Sequence, residues 1–369
     1  MSTKTGTIAR AENVGSLLRP AALLDAMRDR QQGSITADQL RALQDTAVRE
    51  ALELQESVGL DLVTDGEMRR ESWVLSGFIL DCFDPVAGPR SYPPSIAQTK
   101  DDAGTFSVVT RRLVPPTGRD LDDGYTFLRE NTDARIKFTL PAPSYHRRFW
   151  SDTHSTGAYG SCEEFLTDVR DWIGGVAKRL AESGCDYIQL DAPNYGSLCD
   201  PAIRDYHASL GHDLDAQLAF DAELDSSVFD GLTGVTRAIH LCRGNLPGGQ
   251  WFSSGGYAPI AAGLFPALRV DVMLMEFDSD RAGDFGPLAH VADGTTVVLG
   301  LLTTKNDVVE EEKDIVARIH AATEVKPLDE LALSTQCGFA SVAGGNPATF
   351  AAQRAKLETV VRIARQVWG

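Results

Sequence analysis

His240 and Cys242 lie two residues apart in the segment 236–245, which reads as a short buried strand running into a loop. Alternate residues of a strand point to the same face, so the imidazole and the thiol leave the backbone together. Both groups are preferred ligands of zinc. A His-x-Cys pair alone is a common coincidence, however, and further ligands of such a metal site must come from other parts of the chain.

Two more residues with metal-binding side chains end predicted strands. Glu276 closes the apolar run Met273–Met275, and a carboxylate at the end of a buried strand needs a partner. Cys337 ends another predicted strand, where an inert buried thiol is the alternative reading. With His240 and Cys242, these residues would offer one nitrogen, two sulfurs and one oxygen. That combination favours zinc over magnesium or calcium.

Eight predicted strands alternate with helical segments along the chain. They cover residues 10–18, 60–67, 136–141, 185–191, the segment around His240, 270–276, 296–302 and 331–337. Eight such alternations predict a (β/α)8 barrel, that is, a TIM barrel of the α/β class. A doubly wound sheet is the structural alternative. The count of eight and the lack of a Gly-x-Gly-x-x-Gly motif after the first strand favour the barrel.

The barrel topology would bring these side chains together. The carboxyl ends of barrel strands share one face, where barrel enzymes carry their active sites. The residues predicted at these strand ends are Ser16, Glu67, Asp191, His240, Cys242, Glu276 and Cys337. We therefore expect them to form one site.

Capping signals and proline punctuation define the elements between the strands. Thr36 with Gln39, and Ser161 with Glu164, have the spacing of capping boxes that open helices. Residues 82–134 break the strand–helix alternation, because six prolines surround an alternating run there. This pattern predicts an inserted β-hairpin or flap within a single domain of residues 1–369.

Composition narrows the functional classes. The formal net charge of −17 disfavours nucleic-acid binding, because the phosphates would be repelled. No apolar run reaches the roughly 18 residues that span a bilayer, and no signal-peptide core stands at the start. We therefore expect a cytoplasmic protein without membrane contact. The six cysteines lack the spacing of a disulfide framework, which leaves thiols free for other chemistry.

Over nearly its whole length the chain resembles the catalytic barrel of the cobalamin-independent methionine synthase family. The resemblance is carried by Val14-Gly15-Ser16, Thr64-Asp65-Gly66-Glu67, Ile188-Gln189-Leu190-Asp191, His240-x-Cys242, Met275-Glu276 and Gln336-Cys337-Gly338. It implies a Zn²⁺ cofactor held by His240, Cys242, Glu276 and Cys337. The implied activity is methyl or alkyl transfer to a zinc-activated thiol, as in methionine biosynthesis. Glu276, the hard oxygen ligand, is the one we expect to give way to the incoming sulfur.

The same resemblance implies how an amino-acid thiol such as homocysteine is held. Its ammonium group would contact Glu67 and Asp191, and its carboxylate would contact the backbone around Val14 and Ser16. The expected partners are thus a small-molecule thiol acceptor and an alkyl donor, with neither nucleic acid nor a membrane. Assembly into a homo-oligomer is left open.

Three departures from the family pattern bear on the alkyl donor. The chain reads as one barrel, whereas full-length members carry a second, N-terminal barrel that helps bind polyglutamyl folate. Lys305 stands where the family has a histidine thought to protonate the folate leaving group, and Ala192 follows Asp191 where glutamate is typical. We expect Lys305 to donate a proton or stabilise negative charge; a solvated lysine at a helix start is the alternative. Methyltetrahydrofolate should then be a poorer donor than a methylated corrinoid or another small electrophile.

Three other functions remain open at the level of sequence. An epoxyalkane:coenzyme M transferase-like enzyme would open a strained ring with the same kind of thiolate. A porphyrinogen decarboxylase-like barrel would need no metal, and the ordered zinc ligands speak against it. A non-catalytic barrel that holds zinc and a thiol or corrinoid would differ from the enzymes only in lacking turnover.

Overall fold

The computed structural model describes residues 8–71, 82–87, 105–114 and 120–369 of the chain. Its strands are β1 (Ala11–Glu12), β2 (Phe83–Ala87), β3 (Thr105–Val109), β4 (Phe138–Pro141), β5 (Tyr187–Asp191), β6 (Thr236–Leu241), β7 (Asn245–Leu246), β8 (Gln250–Trp251), β9 (Val272–Glu276), β10 (Thr296–Leu302) and β11 (Leu331–Thr335). Seven of these strands form one curled parallel sheet in the order β1-β11-β10-β9-β6-β5-β4.

Helices follow the strands along the chain. They are α1 (Ala21–Gln31), α2 (Ala37–Val58), α3 (Asp120–Asn131), α4 (Cys162–Glu182), α5 (Pro193–Ser197), α6 (Pro201–Ser209), α7 (Leu214–Ser227), α8 (Ala258–Leu264), α9 (Glu312–Ala322) and α10 (Phe350–Trp368). In the portion of the chain that the structure describes, no helix is both long and apolar enough to cross a membrane.

The segment after α2 closes the ring between β1 and β4. The Asp61 amide donates to the Ala11 carbonyl at 2.9 Å, and Val63 forms an isolated parallel bridge with Ile136. With this segment counted as the second of eight positions, the architecture is the predicted (β/α)8 barrel.

The first two barrel positions contain less regular strand than the sequence pattern predicted. Of residues 10–18, only Ala11–Glu12 is strand, and residues 60–67 contribute only the bridge at Val63. The backbone leaves the sheet early because the two following turns bond to each other. Leu17 donates from its amide to the Gly66 carbonyl at 3.0 Å.

The predicted capping box at the start of α2 is confirmed. The Gln39 amide donates to the Thr36 hydroxyl at 3.2 Å, and the Thr36 amide donates to the Gln39 side chain at 2.8 Å. At α4 only half of the predicted box forms. Ser161 accepts from the Glu164 amide at 3.2 Å, but the Glu164 carboxylate accepts from the Gly160 amide instead of returning to Ser161.

The predicted insertion contains an antiparallel strand pair. β2 pairs with β3 in a register that places Phe83 opposite Val109 and Ala87 opposite Thr105. The residues between these strands, 88–104, lie outside the described residues. The extent of the insertion, 82–134, and the single-domain boundary of 1–369 therefore stay predictions.

The alternation of strand residues separates two hydrophobic layers. On β9, Met273 and Met275 pack into the large layer between the sheet and the helices, whereas Val272 and Leu274 belong to a small interior cluster. A barrel interior takes every second residue of each strand. Glu276 continues the inward series, and the same parity directs His240 inward after Ala238.

Candidate metal centre and substrate cavity

Four potential metal ligands meet at the carboxyl ends of β6, β9 and β11. His240 lies in β6, Cys242 follows it, Glu276 ends β9, and Cys337 lies two residues after β11. All four side chains are buried, and one ligand atom from each lies within 4.8 Å of those from the others. The structure thus brings together the four residues that the sequence singled out.

The hydrogen bonds of His240 leave one ring nitrogen for a metal. Its Nδ1 lies 3.3 Å from the Leu274 carbonyl oxygen, which favours the tautomer protonated at Nδ1. Its buried Nε2 has no conventional hydrogen-bond partner among the described residues. A histidine that donates from one nitrogen to a carbonyl and offers the other is the usual arrangement of a metal ligand.

The two cysteines form a close sulfur pair. Their Sγ atoms are 3.4 Å apart, and the Cys242 sulfur also accepts from the Gly244 amide at 3.1 Å. The hydrogen bond from Cys242 lowers the pKa of Cys337, and the neighbouring His240 imidazole acts in the same direction. Cys337 is therefore the preferred thiolate of the pair, and thiolates are the form that binds metal.

Two hydrogen-bond donors hold the carboxylate of Glu276. Its Oε1 accepts from the Arg243 amide at 2.8 Å, and its Oε2 lies 3.3 Å from the Arg281 guanidinium. Burial raises the pKa of this fully enclosed carboxyl, which Arg281 opposes. A buried carboxylate beside two sulfurs and an unpartnered imidazole nitrogen is a donor set that fits Zn²⁺.

A cavity of about 810 Å³, open to solvent, adjoins this centre. Its walls contain three of the four potential ligands, His240, Cys242 and Cys337. The other lining residues come from loops at the same end of the barrel: Val14, Ser16, Glu67, Tyr145, Arg148, Asp191, Pro193, Asn194, Ser197, Gly244, Asn245, Phe252, Gly338 and Ser341. All four residues predicted to bind substrate are among them.

Glu67 reaches the cavity through an unusual turn. It is the non-glycine residue with a positive φ among the described residues, at 57°, and it follows Gly66 at 61°. A side chain in this conformation costs about 1 kcal/mol or more, so neighbouring contacts must hold it. Asp65 accepts from the Glu67 amide at 2.8 Å, and Arg19 donates to the Glu67 carbonyl at 2.9 Å. Strain maintained in this way is a common mark of a functional side chain.

Glu67 and Asp191 form an acidic pair in the cavity wall. Burial raises the pKa of Glu67 to about 7, against the opposing effect of Arg70 and with a further increase from Asp191. Burial likewise raises the pKa of Asp191 to about 6, against the opposing effect of His240. Two carboxyls that lose their protons with difficulty would be stabilised as anions by a bound cation.

The loop that contains Val14 and Ser16 packs against the turn that carries Cys337. The Ser16 hydroxyl accepts from the Ala340 amide at 3.2 Å, and a Cβ on Gly338 would lie 2.0 Å from that hydroxyl oxygen. Only glycine therefore fits at position 338. The amides of Gly15 and Ser16 have no acceptor among the described residues, so they are available to an anionic group.

Lys305 lies beside the cavity, but it is not one of the described residues that line it. Its ammonium group donates to the Asn245 side chain and, at 3.2 Å, to the Gln250 carbonyl. It also faces the Trp251 ring at 5.7 Å. These contacts link Lys305 to the β7–β8 hairpin, and its predicted catalytic role stays a prediction.

Tyr145 and Arg148 are cavity residues that the sequence reasoning missed. Arg148 donates to the Tyr145 hydroxyl, and its guanidinium lies 5.0 Å from the ring of Tyr145 and 5.6 Å from that of Phe149. They belong to the short helical turn 143–149 that follows β4. Their place directly after a barrel strand is the only sequence signal that could have identified them.

These features define a class of protein: a (β/α)8 barrel with a candidate thiolate–imidazole–carboxylate metal centre and an adjoining acidic cavity at its carboxyl face. The chain is 35% identical to the uncharacterized protein YxjH of Bacillus subtilis (strain 168) over 97% of its length and 94% of that protein. It is 32% identical to the uncharacterized protein YxjG of the same strain over the same shares. No family model matches the chain.

Proteins that are named as methionine synthases are similar to this chain in sequence and in fold. The methionine synthase of Pyrococcus abyssi is 25% identical over 88% of this chain and 85% of its own. A provisionally assigned vitamin-B12-independent methionine synthase from Listeria monocytogenes superposes with a TM-score of 0.74 at 27% identity, covering 99% of this chain and 100% of its own. The chain belongs to the cobalamin-independent methionine synthase family.

Proposed function

We propose that the protein is a zinc-dependent methyltransferase that alkylates the thiol of homocysteine. The observation that carries this proposal is the shared cavity. It combines a ligand cluster suited to zinc with two carboxyls suited to an ammonium group and with Ser16, whose amide has no acceptor among the described residues and is suited to a carboxylate. A thiol that binds zinc, an ammonium group and a carboxylate are the three functional groups of an amino-acid thiol. Relatives named methionine synthase support the same acceptor.

Zinc held by His240, Cys242, Glu276 and Cys337 would supply the Lewis acidity that lowers the pKa of a bound substrate thiol. The protein residues do the rest of the positioning. Glu67 and Asp191 bind the ammonium group through charge-assisted hydrogen bonds. The amides of Gly15 and Ser16 bind the carboxylate.

The alkyl donor is a separate part of the proposal. We favour a small methyl donor such as a methylated corrinoid over methyltetrahydrofolate, because Lys305 replaces the histidine that the family resemblance associates with folate. The need for two reduced cysteines at the centre supports a cytoplasmic location, where thiols are kept reduced.

Methionine formation by the zinc-loaded protein tests the proposed function directly. Homocysteine would be combined separately with methylcobalamin, with methyltetrahydrofolate and with epoxypropane, and the thioether products would be separated by mass. We expect methionine from at least one methyl donor. Ring-opened product alone would assign an epoxide transferase, and zinc-bound protein that gives no product with any donor would favour a binding protein.

A further inference from the structure

The carboxylate of Glu276 faces two different sets of partners. Its ligand atom lies within 4.8 Å of those of His240, Cys242 and Cys337. The same side chain accepts from the Arg243 amide at 2.8 Å and lies 3.3 Å from the Arg281 guanidinium. Glu276 is fully buried, so the contacts that hold its carboxylate come from neighbouring groups of the protein.

Arg281 is fixed in place by contacts other than Glu276. It lies in the short helical turn Asp280–Ala282 and donates to the Ser253 carbonyl at 2.9 Å. Its guanidinium also contacts Asp278 at 3.3 Å and lies 4.6 Å from the Trp251 ring. A guanidinium that is already ordered binds a carboxylate with little further loss of conformational entropy.

The proposed function requires a coordination position for the substrate sulfur, and an oxygen ligand is the one that zinc retains least strongly beside two sulfurs. If a substrate thiol lost its proton to solvent and took the place of the carboxylate, the site would gain one net negative charge. A buried carboxylate released without a cation nearby would carry a large desolvation penalty. Arg281 is the cation within 4 Å of Glu276 in the described part of the chain.

We propose that Arg281 is a positioning residue that holds Glu276 while the substrate thiol occupies its coordination position. The proposal rests on the proposed function, since it requires both the metal and the thiol acceptor. It assigns Arg281 to a substrate-dependent exchange of Glu276 between the metal and the guanidinium. Removing Arg281 should therefore weaken thiol binding without weakening metal binding.

Cobalt-substituted protein provides the test, because a third thiolate bound to Co²⁺ adds to the charge-transfer absorption of Cys242 and Cys337, and this increase can be titrated. We expect Arg281→Met to raise the Kd of L-homocysteine by about tenfold or more, as expected for loss of a charged hydrogen bond. The Kd of Co²⁺ without thiol should be unchanged or lower. Arg281→Lys should recover part of the thiol affinity, because it restores the charge but not the planar fork.

Arg237→Met is the matched control. Arg237 pairs with Asp271 through two contacts of 2.9 and 2.8 Å near the starts of β6 and β9, at the opposite end of the same strands. Its loss removes an arginine–carboxylate pair without touching Glu276, so the Kd of homocysteine should not change.

A double-mutant cycle separates the proposed role from a general loss of folding. In a Glu276→Ala background, Arg281→Met should change the Kd of homocysteine by less than about twofold, because its partner is gone. A full effect in that background would overturn the proposal, as would wild-type thiol affinity in Arg281→Met alone. If wild-type protein bound cobalt but homocysteine did not increase its charge-transfer absorption, the proposed acceptor itself would be wrong.

Discussion

The sulfur atoms of Cys242 and Cys337 lie 3.4 Å apart, although 95 residues separate the two cysteines in the chain. The shared proton raises the pKa of Cys242, while the same hydrogen bond lowers the pKa of Cys337. These shifts favour the thiolate at Cys337, which lies beside the His240 ring. A bound divalent cation would stabilise both sulfurs as thiolates.

The first prediction concerns metal content. Purified protein should contain about one zinc per chain, because four suitable ligands from three strands converge at one place. Cys242→Ser and Cys337→Ser should each remove most of that zinc while the barrel persists, since its core does not involve the metal site. Elemental analysis after dialysis measures the first effect, and far-ultraviolet circular dichroism measures the second.

Cys185→Ser is the matched control for these variants. Cys185 is also a buried free thiol, but its Sγ contacts the Tyr187 carbonyl at the start of β5, away from the candidate ligands. The zinc content of the Cys185→Ser variant should equal that of the wild type. A wild-type protein without zinc after reconstitution would contradict the prediction, and so would full zinc retention in either ligand variant.

Much of the barrel could be predicted because local signals define its elements. The capping box of Thr36 and Gln39 sets the start of α2, and Gly59, with φ at 83°, sets its end. The predicted strands 60–67 and 10–18 were too long because tertiary contacts end them early. Thr64 donates from its hydroxyl to the Gly15 carbonyl at 2.7 Å, a contact between two loops that no local pattern encodes.

The candidate site was predictable only where residues end strands. His240 and Glu276 follow from strand parity and barrel topology, since both continue an inward series. Arg148 and Arg281 were missed because they lie on short helical turns, where the sequence gives no periodic signal. The contacts of Lys305 depend on the β7–β8 hairpin, whose position is set by tertiary packing.

The second prediction concerns recognition of the acceptor. Glu67→Gln should raise the KM for homocysteine by about tenfold or more, because a charge-assisted hydrogen bond to the ammonium group is lost. The matched probe is 4-mercaptobutyrate, which is homocysteine without its amine. It should be a poor acceptor for the wild type, and the substitution should leave its KM unchanged. Equal use of both thiols by the wild type would argue against an amino-acid acceptor.

The third prediction concerns the pH dependence of stability. The unfolded chain releases the Glu67 proton near pH 4.5, whereas burial raises the pKa of Glu67 in the folded protein to about 7. Between these values the folded state binds more protons, so this group makes the free energy of unfolding fall as pH rises. Above pH 7, Glu67→Gln should therefore be more stable than the wild type by about 1–3 kcal/mol.

Urea unfolding at pH 5 and pH 8, with chelator present throughout, measures this difference. The gain in stability from Glu67→Gln should be smaller at pH 5. At that pH Glu67 is still largely protonated in the folded protein, so little of the cost of burying its charge is present. Glu50→Gln, an exposed position on α2, serves as the control and should show no pH-dependent gain. A gain of the same size at both pH values would show that burial of the Glu67 charge is not its cause.

The fourth prediction separates two roles for Lys305. If the lysine protonates a leaving group, Lys305→Ala should affect methyltetrahydrofolate, whose leaving nitrogen needs a proton, far more than methylcobalamin. The observed contacts favour a different result. Lys305 holds the Asn245 side chain, which lines the cavity, and it also donates to the Gln250 carbonyl at 3.2 Å. We expect Lys305→Ala to lower kcat/KM by a similar factor, about tenfold, with every donor.

Asn245→Ala provides the comparison that links the lysine to its partner. It should reproduce the donor-independent loss, and adding Lys305→Ala should lower kcat/KM little further, because the two side chains act as one unit. Initial rates with homocysteine at saturation and each methyl donor varied in turn would measure all three variants. A loss confined to methyltetrahydrofolate would restore Lys305 to the catalytic role predicted from the sequence. It would also remove the ground for favouring a corrinoid, since a lysine that protonates folate would serve in place of the histidine.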